Sequence, residues 1–179
     1  MGLLSFFRRI GQDDDAIVAL YAAVVQQARS PAFYAQLGVP DTVDGRFDLI
    51  IMHTMLAMRR LRSEGQPGED LAQGLLNYMF KDMDRSLREI GVGDMSVGKH
   101  IKKMAKAFYG RSEEYEKGID GSATALNDAL SQNLFRKHIA TEPQLAAMRA
   151  YLLSADQALR ALSMADIAAG RMVWPNVTV

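Results

Sequence analysis

The chain contains no cysteine. That excludes disulfides, thiolate metal sites and cysteine nucleophiles, and it suits a reducing compartment. Only five prolines and one tryptophan occur in 179 residues, so obligatory helix breakers are few. Charge of one sign is missing too: 21 Lys+Arg stand against 21 Asp+Glu, and no overall field draws the chain to nucleic acid. No run reaches the roughly 18 to 20 apolar residues of a membrane span. The most apolar stretch, 49–58, is interrupted by His53 and Thr54 and closed by Arg59-Arg60, which predicts a buried helix. Leu3 to Phe7 is too short for a secretory core, and Phe6 stands where an acylation signal carries Ser or Thr. By these tests a soluble protein is expected.

Catalytic patterns are equally scarce. The sequence holds no GxSxG, no HExxH and no phosphate loop. Gly91-Val92-Gly93 and Gly98 precede a helix, but no strand leads into them, so a dinucleotide site fails its context test. His53, His100 and His138 fall in three different predicted helices without ligand spacing. Asp82 and Asp84 are two positions apart, roughly 200° around a helix, and do not converge on one ligand. Asp84 is instead placed to pair with Arg88 at i, i+4, and Asp82 to tie its helix to a neighbour. The expectation is no enzyme, no catalytic residue, no metal and no cofactor.

What is present is helical periodicity. Ser30-Pro31 divides a first helix, capped by Asp13-Asp14-Asp15, from a short second one through Phe33, Tyr34 and Leu37. Asp44 is expected to cap a third helix that is apolar nearly all round and hence central. His53 in it reads as a hydrogen-bonded core side chain. Glu64 to Gly68 is a turn, and a fourth helix runs from Leu71 to Ile90. Glu113 to Gly118 reads as a short polar helix, followed by helices over 123–139 and from Thr141 to about 170. Thr141-Glu142-Pro143-Gln144 is a start signal for the last. The fold class is all-α: one compact bundle of about seven to eight helices. It divides into an N-terminal apolar and basic segment (1–12), a helical domain (13–170) and a C-terminal tail (171–179) that packs through Trp174.

The positive charge is concentrated. From Lys81 to Arg111 there are eight Lys/Arg and four Asp/Glu. Gly91 sits as a helix C′ residue and Ser96 as the cap of the next helix. In that helix Val97, Ile101, Met104 and Phe108 share one face, while Lys99, Lys102, Lys103 and Lys106 lie about 180° away at roughly 100° per residue. Such a face is either simply solvated or meets anionic headgroups or an acidic partner. Phe108 and Tyr109 follow the lysines rather than interleaving with them, which disfavours base stacking, and no DNA contact is expected. At the N-terminus, Phe6 and Phe7 with Arg8 and Arg9 form a candidate interfacial foot for anionic lipid.

The run Asp82 to Asp94 (DMDRSLREIGVGD), followed by Val97-Gly98-Lys99 and by Met104 to Arg111 (MAKAFYGR), resembles the ubiquinol–cytochrome c chaperone family. The similarity extends more weakly to Ala32-Phe33-Tyr34, covering roughly residues 30 to 120. The short chain, lacking an organelle-targeting extension, resembles the bacterial branch. The resemblance implies a non-enzymatic assembly factor that binds newly made cytochrome b and supports assembly of the cytochrome bc1 complex. It further implies a cytoplasmic location peripheral to the inner membrane and, as a further partner, a small accessory assembly protein. The partner-binding candidates are Lys99, Lys102, Lys103, Lys106, Tyr109, Arg111 and Arg88. Exposed Met79, Met83, Met95 and Met104 would add adaptable apolar contact. The alternative is a helical carrier or enzyme for a hydrophobic isoprenoid or quinone-like molecule, which calls for a closed apolar cavity with convergent polar groups. A plain interaction scaffold is the third reading.

Overall fold

A computed structural model of the chain describes residues 3–136 and 138–177, with 3–13 and 168 described by their backbone only. Among the described residues there are eight α-helices and one π-helical turn, and no strand. In order they are α1 (Leu3–Ala28), α2 (Pro31–Ala35), α3 (Val43–Arg62), α4 (Gln66–Glu89), α5 (Asp94–Asp120), α6 (Ala123–Leu130), the π-turn Ser131–Phe135, α7 (Glu142–Arg160) and α8 (Met164–Ala168).

Every residue of α3 from Asp48 to Met58 is buried. α1, α4, α5, α7 and the π-turn all pack against it, which is why it is apolar on every side. His53 lies at the centre, fully buried. Its Nδ1 is 2.7 Å from the Leu49 carbonyl, which only accepts, so Nδ1 carries the proton. Nε2 then accepts from the Tyr151 hydroxyl at 2.8 Å, and Gln27 Nε2 donates to the same Tyr151 oxygen at 2.9 Å. Burial holds the imidazole pKa down at about 4, so the ring is neutral. Phe33 meets Tyr151 edge-on at 4.9 Å and Trp174 of the tail meets His53 at 5.0 Å. The C-terminal segment thus closes over the core through its one tryptophan.

Several boundaries differ from the sequence expectation, each for a local reason. Asp13-Asp14-Asp15 lies inside α1, not at its start, and α1 runs through the division expected after residue 12. Thr42, not Asp44, caps α3: its extended backbone lets Oγ1 accept from Gly45 N at 3.1 Å. α4 begins at Gln66, five residues before Leu71, because Pro67 is accommodated in the first turn. α5 starts at Asp94 with Gly93 as its cap, so Ser96 is already helical, and it continues through 113–118 without a break. The helix expected over 123–139 widens into the π-turn after Leu130 and stops at Arg136, whose φ is +52°. Leu126, Leu130 and Leu134 are buried, but Ile139 falls beyond the helix and is 98% exposed. The last expected helix is two, α7 and α8, the second capped by Ser163. Two signals read as expected. Gly91 (φ +90°) closes α4 with Val92 N donating to Leu87 O and Gly91 N to Arg88 O, both at 3.0 Å. Thr141 and Gln144 form a reciprocal capping box at the start of α7.

Candidate functional site

α4 and α5 form an antiparallel hairpin whose outer half stands clear of the core. From Phe80 to Ser96 no residue is buried. Its inner end is anchored by Phe80 and Phe108, whose rings meet edge-on at 6.2 Å, and by the Tyr21 hydroxyl donating to Asp82 Oδ2 at 2.9 Å. At the tip Ile90 and Met95 are exposed, Met95 at 99%. Met83 and Met104 are half-buried and Met79 is fully buried, so Met79 offers no contact surface, contrary to one possibility raised by the sequence.

The charges on the two helices are used differently. On α4, Arg85 pairs with Asp82 and Glu89, and Arg88 pairs with Asp84 at 2.6 Å and with Asp94 across the turn. Arg88 Nε also holds the Asp84 carboxyl below the usual carboxylate range. Arg88 is therefore engaged in stitching the hairpin. On α5, Lys99, Lys102, Lys103 and Lys106 are all exposed and none forms an ion pair with a described residue. Tyr109 is 56% exposed one turn further along.

Gly110 lies on the same outward face, and a Cβ built there meets nothing within 4 Å. A glycine inside a helix costs about 0.5–1 kcal/mol relative to alanine. Gly110→Ala is accordingly expected to raise the unfolding free energy by that amount, measured by urea denaturation. A loss of stability would mean that the backbone there is not the regular helix described.

Arg111 does not belong to this face. It turns inward and pairs with Asp48, a carboxylate with no exposed surface, while Arg136 reaches Asp48 Oδ1 at 2.7 Å and Asp44 at 3.1 Å from the other side. The open π-turn and the left-handed Arg136 backbone aim that guanidinium across to α3. Burial raises the Asp48 pKa to about 6, against the opposing pull of Arg111 and Arg136. Asp48 Oδ2 and the Tyr115 hydroxyl have no hydrogen-bond partner among the described residues. Sequence reasoning missed this cluster. The available signal was Asp48 itself, a carboxylate on the threshold of the most apolar run in the chain, where a buried charge needs a cation.

The side chains of Phe6, Phe7, Arg8 and Arg9 lie outside the described residues. His53 sits in the core, His100 on α5 and His138 after the π-turn. Among the described residues no cluster of His, Asp or Glu is arranged to hold a metal ion. No described helix is long and apolar enough to cross a membrane. Among the described residues, clefts of 390, 320 and 250 Å³ open onto the surface, and each has charged residues in its wall.

The family described as ubiquinol-cytochrome C chaperone matches residues 35–174. The ubiquinol-cytochrome-c reductase complex assembly factor 1 of Xenopus laevis is 23% identical over 160 residues, covering 89% of this chain and 80% of that protein. Its namesakes in Mus musculus and Homo sapiens are 23% and 22% identical over 89% of this chain and 54% of their own length. The matched region thus spans about half of each mammalian relative. The crystal structure of the Cbp3 homolog from Brucella abortus is similar with a TM-score of 0.85 and 37% identity, over 98% of both chains.

Proposed function

Since the chain belongs to the ubiquinol–cytochrome c chaperone family, we propose that it is a non-enzymatic assembly factor for the ubiquinol–cytochrome c reductase (bc1) complex, with newly made cytochrome b as client. The observation that carries this reading is the α4–α5 hairpin. A chaperone of a membrane subunit needs proximity to the bilayer, adaptable apolar contact and reversible binding. The unpaired lysines of α5 supply electrostatic attraction of about 1 kcal/mol each near an anionic surface. Exposed Met95 and Ile90 at the tip supply apolar surface, methionine being the more adaptable. Phe6, Phe7, Arg8 and Arg9 would add a second, reversible foothold. The chain then works at the cytoplasmic face of the inner membrane, peripherally attached, and a small accessory assembly protein is a further partner. Heme on the client is ligated by the client, so the chaperone carries no cofactor of its own. A carrier for an isoprenoid or quinone is less well supported, because the clefts described above are open and rimmed with charge.

The test is a pulse-labelling experiment in the native host, isolating the tagged full chain from detergent-solubilised membranes. Labelled cytochrome b is expected to co-isolate early and to leave during the chase as assembled bc1 complex accumulates. Absence of cytochrome b at every time, with bc1 assembly unchanged after deletion of the gene, would overturn the proposal.

A further inference from the structure

Beside the lysine stripe, a 250 Å³ cavity opens between α3 and α5. Met55, Met58 and Phe108, each only 1–2% exposed, lie at its floor, and the exposed Tyr109 forms its wall together with Arg62, Glu113 and Glu116. The Ser112 hydroxyl also lines it; that residue is 9% exposed and its Oγ has no hydrogen-bond partner among the described residues. Tyr109 lies seven positions after Lys102, which is close to two helical turns, so the two share a side of α5 about 10 Å apart along its axis. Lys106 falls between them. Gly98 and Gly110, toward either end of this stretch, are glycines that nothing in the fold requires, since a Cβ at either meets no atom within 4 Å.

We propose that this face of α5 is a two-part seat for one amphipathic helical segment of a partner protein. The segment carries carboxylates that meet Lys99, Lys102, Lys103 and Lys106. About two turns away along the same segment, one apolar side chain enters the Met55–Met58–Phe108 cavity. Charge complementarity selects acidic residues opposite the lysines, none of which pairs with a described carboxylate. The cavity selects a side chain: it is concave, has an apolar floor beneath a polar rim, and is sized for a single anchor of the kind used in helix-in-groove recognition. Ser112 Oγ at its wall provides a hydrogen-bonding group for a polar atom on that anchor or on the backbone beside it. Gly98 and Gly110 remove side-chain bulk from the outward surface of α5, which lets a second helix approach closely, as small residues do at other helix–helix contacts. An anionic lipid surface can attract the lysines but does not account for the cavity, since a concave pocket rimmed by Glu113 and Glu116 presents nothing to insert into a bilayer.

The proposal rests on the reading of α5 as the docking helix, but not on the identity of the client. The test is photo-crosslinking of the full chain in its native host, with a benzoylphenylalanine at position 102 or 109 and a control at the exposed Leu153 of α7. Adducts are mapped by mass spectrometry. The expected result is that both probes reach one segment of one protein. The Lys102 probe should mark a stretch containing Asp or Glu, and the Tyr109 probe an apolar residue about two turns away. Gly110→Trp, which puts an indole on the seat without touching the core, should reduce both adducts about ten-fold at a melting temperature no lower than the parent's. Adducts on two different chains, adducts only on lipid, yields no higher than at Leu153, or insensitivity to Gly110→Trp would each overturn the seat. A shared acidic–apolar segment in a protein that is neither a bc1 subunit nor a bc1 assembly protein would keep the seat and sink the assembly proposal instead.

Discussion

Arg111→Ala is expected to lower the unfolding free energy by about 3 kcal/mol at pH 7, the lower end of the range for removing one partner of a buried ion pair. Asp48 has no exposed surface, and Arg111 is mostly covered. Truncating the guanidinium leaves the carboxylate in an apolar surround with Arg136 as its remaining cation, and Arg136 is the more exposed of the two. The loss should depend on pH, with a sign that follows from the Asp48 shift. Its folded pKa is raised to about 6, against roughly 3.9 in an unfolded chain. The native state therefore binds the proton more readily than the unfolded one. The stability this contributes is fully present below about pH 4 and is lost as pH rises through 6. Removing Arg111 raises the folded pKa further, so the variant keeps losing stability above pH 6, where the parent has levelled off. Urea denaturation should give a smaller deficit at pH 5 than at pH 7, by up to about 1.4 kcal/mol, because a carboxyl with a folded pKa of about 6 escapes the loss of its partner by taking up a proton. An equal deficit at both values would mean that Arg111 contributes packing and not charge.

His53 makes the comparison between variant and parent necessary. Its folded pKa is depressed to about 4, so its contribution is present above roughly 6.5 and is lost as pH falls. Over the interval from 4 to 6 this opposes the Asp48 contribution, and the parent's stability should change little there on account of these two groups. Subtracting parent from variant removes the His53 contribution and leaves that of Asp48.

The contrast between Arg111 and the lysines shows what a helical sequence reveals. Periodicity is a property of one helix, and it correctly set Lys99, Lys102, Lys103 and Lys106 opposite Val97 and Phe108. It also correctly marked α3 as central, because a helix apolar on all sides has no other place. Arg111, by contrast, lies on the flank of α5, and only the position of α3 decides whether a flank residue meets water or a carboxylate. Asp48 and Arg136 are 88 positions apart, and their meeting depends on a π-turn and a left-handed residue that no local pattern announces. The cavity beside Tyr109 was illegible for the same reason, since it exists between α3 and α5 and in neither alone. The reach of α5 from Asp94 to Asp120 was obscured by Gly110, which lowers helix propensity where nothing in the fold calls for a glycine.

Reversing Lys99, Lys102, Lys103 and Lys106 to glutamate is expected to weaken association with client-bearing membranes by at least about three orders of magnitude at low salt, the loss of the lysine attraction alone, with repulsion by the glutamates added to it. That figure corresponds to about 1 kcal/mol per lysine. The fold should survive, because surface substitutions away from special contacts change stability by only about 0.5 kcal/mol. A sedimentation or flotation assay across a salt series checks both the size and the cause. The parent should lose affinity as the screening length falls from about 10 Å at 0.1 M salt to about 3 Å at 1 M, while the reversed variant, already weak, should not lose more. Unchanged association at low salt would remove the lysines from the docking surface. There is an independent reason to expect the effect. Lys99–Lys103 and Lys102–Lys106 are like-charged i, i+4 pairs, each unfavourable to the helix by about 0.2–0.5 kcal/mol. α4 avoids that cost by giving Arg85 and Arg88 carboxylate partners three, four or six positions away. α5 bears it with no ion pair to a described residue, which is what a face kept for an external acidic partner would show.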